Sequence, residues 1–198
     1  MEEVRVRWGP DMPSFPDLPD LLSTPSVRLR LAAERDIPEV LIAHQDDAQL
    51  YRRLGLVRPP SGAELGRRVD AAGADRATGT ALWLTIAAAG SDECIGQIDV
   101  HDVAWEHSRA ELRIWVAPAR RGQGVAADAL GLIGRWLLTA CGLQRVQLVT
   151  GPDNEALRAA ARHAGYVEEG VLRGYLREHG QRIDVTMMSL IATDVVAP

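Results

Sequence analysis

The chain has 198 residues, 46% of them hydrophobic, which suits one domain with a sizeable core. Its formal net charge of −5 argues against a general affinity for nucleic acid. No apolar run is long enough to cross a membrane, and the start, M-E-E-V-R-V-R-W-G-P, lacks the apolar core of a signal peptide, so a cytoplasmic protein is expected.

Residues 1–25 read as an irregular arm, because Pro10, Pro13, Pro16, Pro19 and Pro25 interrupt any helix or central strand. Trp8, Phe15, Leu18, Leu21 and Leu22 give this arm apolar side chains to pack on the domain, which occupies residues 26–198. In S-V-R-L-R-L-A, Val27, Leu29 and Leu31 alternate with Arg28 and Arg30, the pattern of a half-buried strand. Asp36 is placed to cap the next helix, with Pro38 in its first turn; that helix ends near Asp47. A short helical piece carries Tyr51, Arg52 and Arg53. Ser61 and Glu64 form a capping box for a helix that is expected to run to about Ala72, with Gly73 and Gly79 marking a loop.

From Thr80 the period changes to two. Leu82–Ile86, Ile95–Val103 and Glu111–Val116 read as three strands joined by turns, an antiparallel meander. Val125–Cys141 reads as a long apolar helix, closed at Gly142 with Leu143 beyond it in a Schellman-like stop. Arg145–Thr150 is a fifth strand. Asp153 is expected to cap a helix ending at Gly165, and Tyr166–Leu176 and Arg182–Leu190 to pair as a terminal hairpin across Glu178-His179-Gly180. Cys94 and Cys141 lack metal-ligand spacing and read as small buried residues in a reducing compartment, so no metal site is expected.

The stretch R-G-Q-G-V-A-A-D-A-L, Arg121 to Leu130, lies where a strand gives way to the long helix. Gly122 and Gly124 allow positive φ and close approach of a ligand to the backbone. The helix start leaves unpaired N–H groups at the positive end of its dipole, a site suited to phosphate. The pattern is not a P-loop, since the chain has no Gly-Lys pair. Gly122, Gly124 and Ala127 match the dinucleotide pattern only loosely, and no early strand–turn–helix unit precedes them.

What fits is Gln/Arg-x-x-Gly-x-Gly/Ala, as Arg121-x-x-Gly124-x-Ala126, which resembles the acyl-coenzyme A loop of the GNAT N-acetyltransferase superfamily. A second stretch supports the likeness. P-D-N-E-A-L-R-A-A-A-R-H-A-G-Y keeps Asn154 and Gly165 eleven positions apart, with Tyr166 where relatives carry phenylalanine. Its continuation, V-E-E-G-V-L-R, and the upstream A-E-L-R-I-W-V-A-P resemble the RimJ/RimL branch. The order of elements from about Ser26 to Ile191 is similar to the GNAT fold: α+β, with a mixed central sheet of about seven strands flanked by about four helices.

The resemblance implies transfer of an acetyl group from acetyl-CoA to a primary amine, on a protein N-terminus or a small molecule. Backbone amides of Arg121, Gly122, Gln123, Gly124, Val125 and Ala126 would hold the pyrophosphate, with Arg120 and Arg121 at its rim. Asn154 would bond the pantetheine arm, which would lie where Trp115, Val116 and Ala117 splay from Leu148–Thr150. Glu111 stands where the branch often has a carboxylate and is the expected base, with Asp99 and His101, on one face of the neighbouring strand, as second choices. The expected acids are missing: Ala161 stands where many relatives have tyrosine and Leu157 where this branch often has serine. Tyr166 reads as a packed aromatic, and Arg158 and Arg162 as a solvated helix face.

The acceptor side would be walled by the early helices and the last hairpin, with Tyr51, Arg52, Arg53, Trp83, Tyr175 and His179 as candidates. Arginines there would favour a carboxylate on the acceptor or on the acyl chain, which leaves succinyl-CoA open as donor. The remaining alternative is a non-catalytic acyl-CoA-binding sensor module. The expected partners are acyl-CoA and an amine, with no nucleic acid and no membrane; a homodimer is left open.

Overall fold

The computed structural model describes residues 14–19, 22–178 and 180–195. Its strands are β1 (Val27–Leu31), β2 (Leu82–Ala88), β3 (Cys94–Ala104), β4 (Arg109–Val116), β5 (Arg145–Thr150), β6 (Val167–Glu178) and β7 (Gln181–Ile191). Its helices are α1 (Ile37–Asp46), α2 (Leu50–Arg53), α3 (Gly62–Ala77), α4 (Val125–Thr139), α5 (Glu155–His163) and α6 (Ala192–Val195). The strands make one mixed sheet in the order β1-β2-β3-β4-β5-β7-β6, and its parallel pair is β4 with β5. The architecture is the expected α+β one, four full helices with two short four-residue turns, α2 and α6.

Alternation along β4 divides its side chains between two layers. Ala110, Leu112, Ile114 and Val116 join the core under α4, while Trp115 packs in the second core with Val40 of α1 and Leu65 of α3. Helix α4 is apolar almost all round because it is buried between β1, the sheet and α5. Leu130, Ile133 and Leu137, at helical spacing, are fully buried, each contributing about 1.5–3 kcal/mol. The helix stops as the sequence predicts: Gly142 takes φ 73° and the Leu143 amide reaches back 3.1 Å to the Leu137 carbonyl.

Of the proline-rich stretch, Phe15 and Leu22 enter the main core and Leu18 lies against it. The Phe15 ring sits 5.3 Å from that of Trp105 and 6.4 Å from that of Trp136. Trp8 and Leu21 lie outside the described residues.

Three local expectations need correction. Helix α3 keeps its Ser61–Glu64 capping box but runs past Ala72 to Ala77. Gly73 lies within it on an open surface, and one such glycine costs a helix only about 1 kcal/mol. Asp36 occupies the cap position of α1 without capping it. Its carboxylate is turned to β1 and β2, where it accepts from Arg30 at 2.6 and 2.7 Å, from Thr85 at 2.7 Å and from the Ala33 amide. Finally, Asn154 rather than Asp153 caps α5, because its Oδ1 is the atom within 3.3 Å of the Leu157 amide.

Candidate functional site

Two features of the sheet make an opening. The parallel ladder of β4 and β5 ends at Leu112 and Leu148, yet β4 stays paired with β3 to Val116 and β5 with β7 to Thr150. Beyond that fork the facing edges of β4 and β5 have no ladder between them, the splay expected between Trp115–Ala117 and Leu148–Thr150.

β4 leads through a short 3-10 turn, Pro118–Arg120, into the glycine loop. Gly122 (φ 74°) and Gly124 (φ 82°) both take the left-handed backbone that glycine accepts without strain. A Cβ on either would meet nothing within 4 Å, so the loop faces open space. The loop residues 121–124 are exposed, Val125 is buried and Ala126 half-buried. The first turn of α4 leaves its amides unpaired by helix geometry, and the Gly124 carbonyl takes up its first bond from the Asp128 amide.

Arg121 braces this loop. Its Nε donates to the Val116 carbonyl at 3.0 Å and its guanidinium reaches Asp47, at the end of α1, at 2.6 Å. Arg120 pairs with Glu93, and the Gln123 amide donates to the Ala119 carbonyl. Burial alone would raise Asp47, but hydrogen bonds from Arg121 and the Gln49 amide and the charge of Arg53 hold it below the usual carboxylate range. Asn154 spends its oxygen on the α5 cap, which leaves its Nδ2 donors for a ligand. Arg158 and Arg162 are tied to Glu155 and Glu168.

On the α1–α3 face lies a cavity of about 370 Å³, walled by both helices, the segment 54–60, β3 and β4. Leu54, Leu65 and Trp115 supply apolar wall; Arg68, Gln97, Asp99 and Arg113 supply its polar floor. Asp99 is paired by Arg68 at 2.7 Å and lies 3.9 Å from Arg113. The Arg68 guanidinium also stacks 4.3 Å from the centre of the Trp83 ring. His44 lines the cavity too; burial lowers its pKa against the opposing charge of Asp47.

Glu111 lies on the same face of β4, one residue before the fork, and does not line this cavity. It is buried, 7% exposed, and accepts from the Gln147 side chain at 3.1 Å. His101 faces it across β3 in register, and His101, Asp102 and Glu111 each bring a polar atom within 4.8 Å of the others. Tyr175 of β6 is near enough for Glu111 to be the main cause raising its pKa. Of the other acceptor-side candidates, Arg53 pairs with Asp47 and Arg52 bonds Tyr51 and Gln49. His179 lies outside the described residues.

The α5 face has no acid to offer at the two expected positions. Ala161 is fully buried and Leu157 packs against the core. The Tyr166 hydroxyl is sealed in the core with no partner among the described residues, and burial pushes its pKa up. It rests against Gly134, where an added Cβ would come within 2.7 Å of it. Arg68, Gln97, Arg113 and His44 are cavity residues that sequence reasoning missed as site residues. Arg68 could have been found four positions after Glu64 on one face of α3.

Comparison with known proteins gives the family and the fold. A family model described as "Acetyltransferase (GNAT) domain" matches residues 26–167. "Uncharacterized N-acetyltransferase YoaA" of Bacillus subtilis is 32% identical over 99 residues, 50% of this chain and 56% of that protein, so the match spans about half of its length. The structure of Mycobacterium smegmatis RimJ in complex with CoA-disulfide has a TM-score of 0.72 at 25% identity, covering 86% of this chain and 84% of that one. Spermidine N-acetyltransferase from Vibrio cholerae, in complex with CoA and spermine, has a TM-score of 0.76 at 19% identity, covering 88% and 100%, a likeness of fold.

Proposed function

This chain belongs to the GNAT acetyltransferase family, and from that premise we propose that it moves an acetyl group from acetyl-CoA to a primary amine by direct attack. The observation that carries this reading is the juxtaposition of three features: an open glycine loop at the α4 N-terminus, the fork of β4 and β5 beside it, and the cavity against β4.

The residues present fit a coenzyme. Amides of the Arg121–Ala126 stretch suit its pyrophosphate, and the unladdered edge of β4 beyond Leu112 suits an extended pantetheine arm. Asn154 keeps donors for that arm. The coenzyme's thioester supplies the activated acyl group. The amine nitrogen bonds to the carbonyl carbon, the carbon–sulfur bond breaks with its electron pair staying on sulfur, and the amine proton passes to a base. Glu111, buried at the fork, is the residue proposed to receive that proton, directly or through water. A coenzyme thiol, with a pKa of about 8.5, can leave as thiolate without a protein acid. Burial pushes both Cys94 and Cys141 up to about 12, which supports direct attack over a cysteine-bound route.

The acceptor proposed is a protein N-terminus or a small amine. Thiol release with acetyl-CoA against a panel of amines and N-terminal peptides tests the reading, with calorimetric titration of CoA beside it. Binding with turnover supports it. Binding without thiol release from acetyl- or succinyl-CoA would instead mark a sensor module.

A further inference from the structure

The cavity is rich in hydrogen-bond donors and carries an excess of positive charge. Glu64 is bonded at both oxygens by Arg58, at 2.6 and 2.9 Å, so those charges cancel. Asp99 cancels one of the remaining two cations, Arg68 at 2.7 Å. Arg113 stands 3.9 Å from Asp99, and its side chain is 37% exposed. Beside it in the wall, Gln97 is 4% exposed. The Gln97 Oε1 is taken by Trp115 at 3.3 Å, while its Nε2 has no partner among the described residues. A buried amide donor left without a partner keeps its desolvation cost, which a ligand oxygen would recover.

A guanidinium and an unpartnered amide N–H beside apolar walls are the complement of a planar, two-oxygen anion. An ammonium group alone would find the Asp99 carboxylate already ion-paired by Arg68, and would meet Arg113 and Gln97 as repulsive or unmatched neighbours. We infer that this cavity recognises a carboxylate, bound by Arg113 and Gln97 and carried either on the acceptor amine or on the acyl group. The inference rests on the transferase reading for which substrate carries the carboxylate, but the cavity's preference can be measured without turnover.

The first measurement is calorimetric titration of the CoA-saturated protein with leucine, leucinamide and succinate. Leucine or succinate should bind about tenfold more tightly than leucinamide, the scale of one hydrogen bond to a charged group. The advantage should vanish in Arg113→Gln, which removes the charge, and shrink in Gln97→Leu. If Arg113→Gln melts early, Arg113→Lys serves instead, keeping charge but losing two-point contact. Equal binding of all three probes, or an advantage unchanged in a folded variant, overturns the inference.

The source is read from turnover. A higher kcat/KM for leucine than for leucinamide with acetyl-CoA assigns the carboxylate to the acceptor. A higher kcat/KM for succinyl-CoA than for acetyl-CoA, with leucinamide as acceptor, assigns it to the acyl chain. Absence of thiol release in every combination refutes the transferase reading, while the titrations still decide whether the cavity takes a carboxylate.

Discussion

Arg121 and Asp47 meet at 2.6 Å and join two parts of the chain that the sequence keeps 74 positions apart. Through this contact the end of α1 fixes the loop that opens α4. With Arg121 also held on the Val116 carbonyl, the loop's position depends on the end of β4 and on α1 together.

Replacing Asp47 by asparagine should therefore loosen coenzyme binding more than it loosens the fold. The pair is partly exposed, with side chains 11% and 41% accessible, so the stability loss should stay within about 1 kcal/mol. Affinity for CoA should fall about tenfold, equivalent to ~1.4 kcal/mol, because binding must then also order the loop. Titration calorimetry and melting of one preparation separate the two effects. Unchanged affinity would show that the loop holds its shape unaided.

Gly124→Val tests the loop itself. An added Cβ meets no protein atom within 4 Å, so in the free protein the main cost is the left-handed dihedral, about 1–2 kcal/mol. In the complex it would occupy space required by the pyrophosphate. Coenzyme affinity should fall by much more than stability does. A folded Gly124→Val protein that binds CoA normally would remove the loop from the site.

Glu111→Gln tests the proposed base. Glutamine can still accept from Gln147 through its side-chain oxygen, so folding should hold. If Glu111 takes the amine proton, kcat should fall by about 10² to 10⁴ while coenzyme affinity stays the same. Near-normal turnover would leave Glu111 as a buried partner of Gln147, and would point to Asp99 or His101.

The sequence revealed the loop and the hairpins because their signals are local. A glycine forced to φ 82°, a Ser61–Glu64 box or a Gly142 stop is written within a few residues. The cavity was not legible in this way. Arg68 comes from α3, Gln97 from β3 and Arg113 from β4, and only the packing of α3 over the sheet brings them together. Tyr51, Arg52 and Arg53 are expected as acceptor contacts because the early helices wall that side in the resembling fold; Arg53 pairs with Asp47, and the three do not line the cavity. Asp36 departs from its expected cap for a related reason: its position suits a cap, yet Arg30 and Thr85 offer its carboxylate stronger partners than the helix amides.

That buried corner should show in acid. Burial alone would raise Asp36, and the Arg30, Thr85 and Ala33 hydrogen bonds outweigh it, so its folded pKa lies below the ordinary value. A depressed carboxyl contributes stability above its unfolded pKa of about 3.9, and that contribution disappears as pH falls through the folded value. Asp36→Asn should cost about 3 kcal/mol at neutral pH, because Arg30 loses its two-point partner, and the loss should shrink below about pH 4. Urea melts of both proteins across pH 3 to 7 measure this. A difference that is constant with pH would mean that the carboxylate's charge is not what matters.

Tyr166 gives the opposite case, a polar group whose removal should help. Its hydroxyl is buried against Gly134 without a partner among the described residues, and such a group costs about 1–3 kcal/mol. Tyr166→Phe should therefore melt no lower than the parent protein, and higher if the hydroxyl is fully unsatisfied. It should also leave kcat untouched, since the ring lies in the core on the α4 side of the sheet. With no acid from Leu157, Ala161 or Tyr166, the pH–rate profile should rise as the base or the amine loses its proton, then stay flat. Gly134→Ala should destabilise the protein, because its Cβ would lie within 2.7 Å of the Tyr166 oxygen and 2.9 Å of Leu190. Adding Tyr166→Phe should recover part of that loss by removing the first of these contacts. A bell-shaped profile whose alkaline limb vanished in Tyr166→Phe would make Tyr166 the proton donor and would refute unassisted thiolate departure.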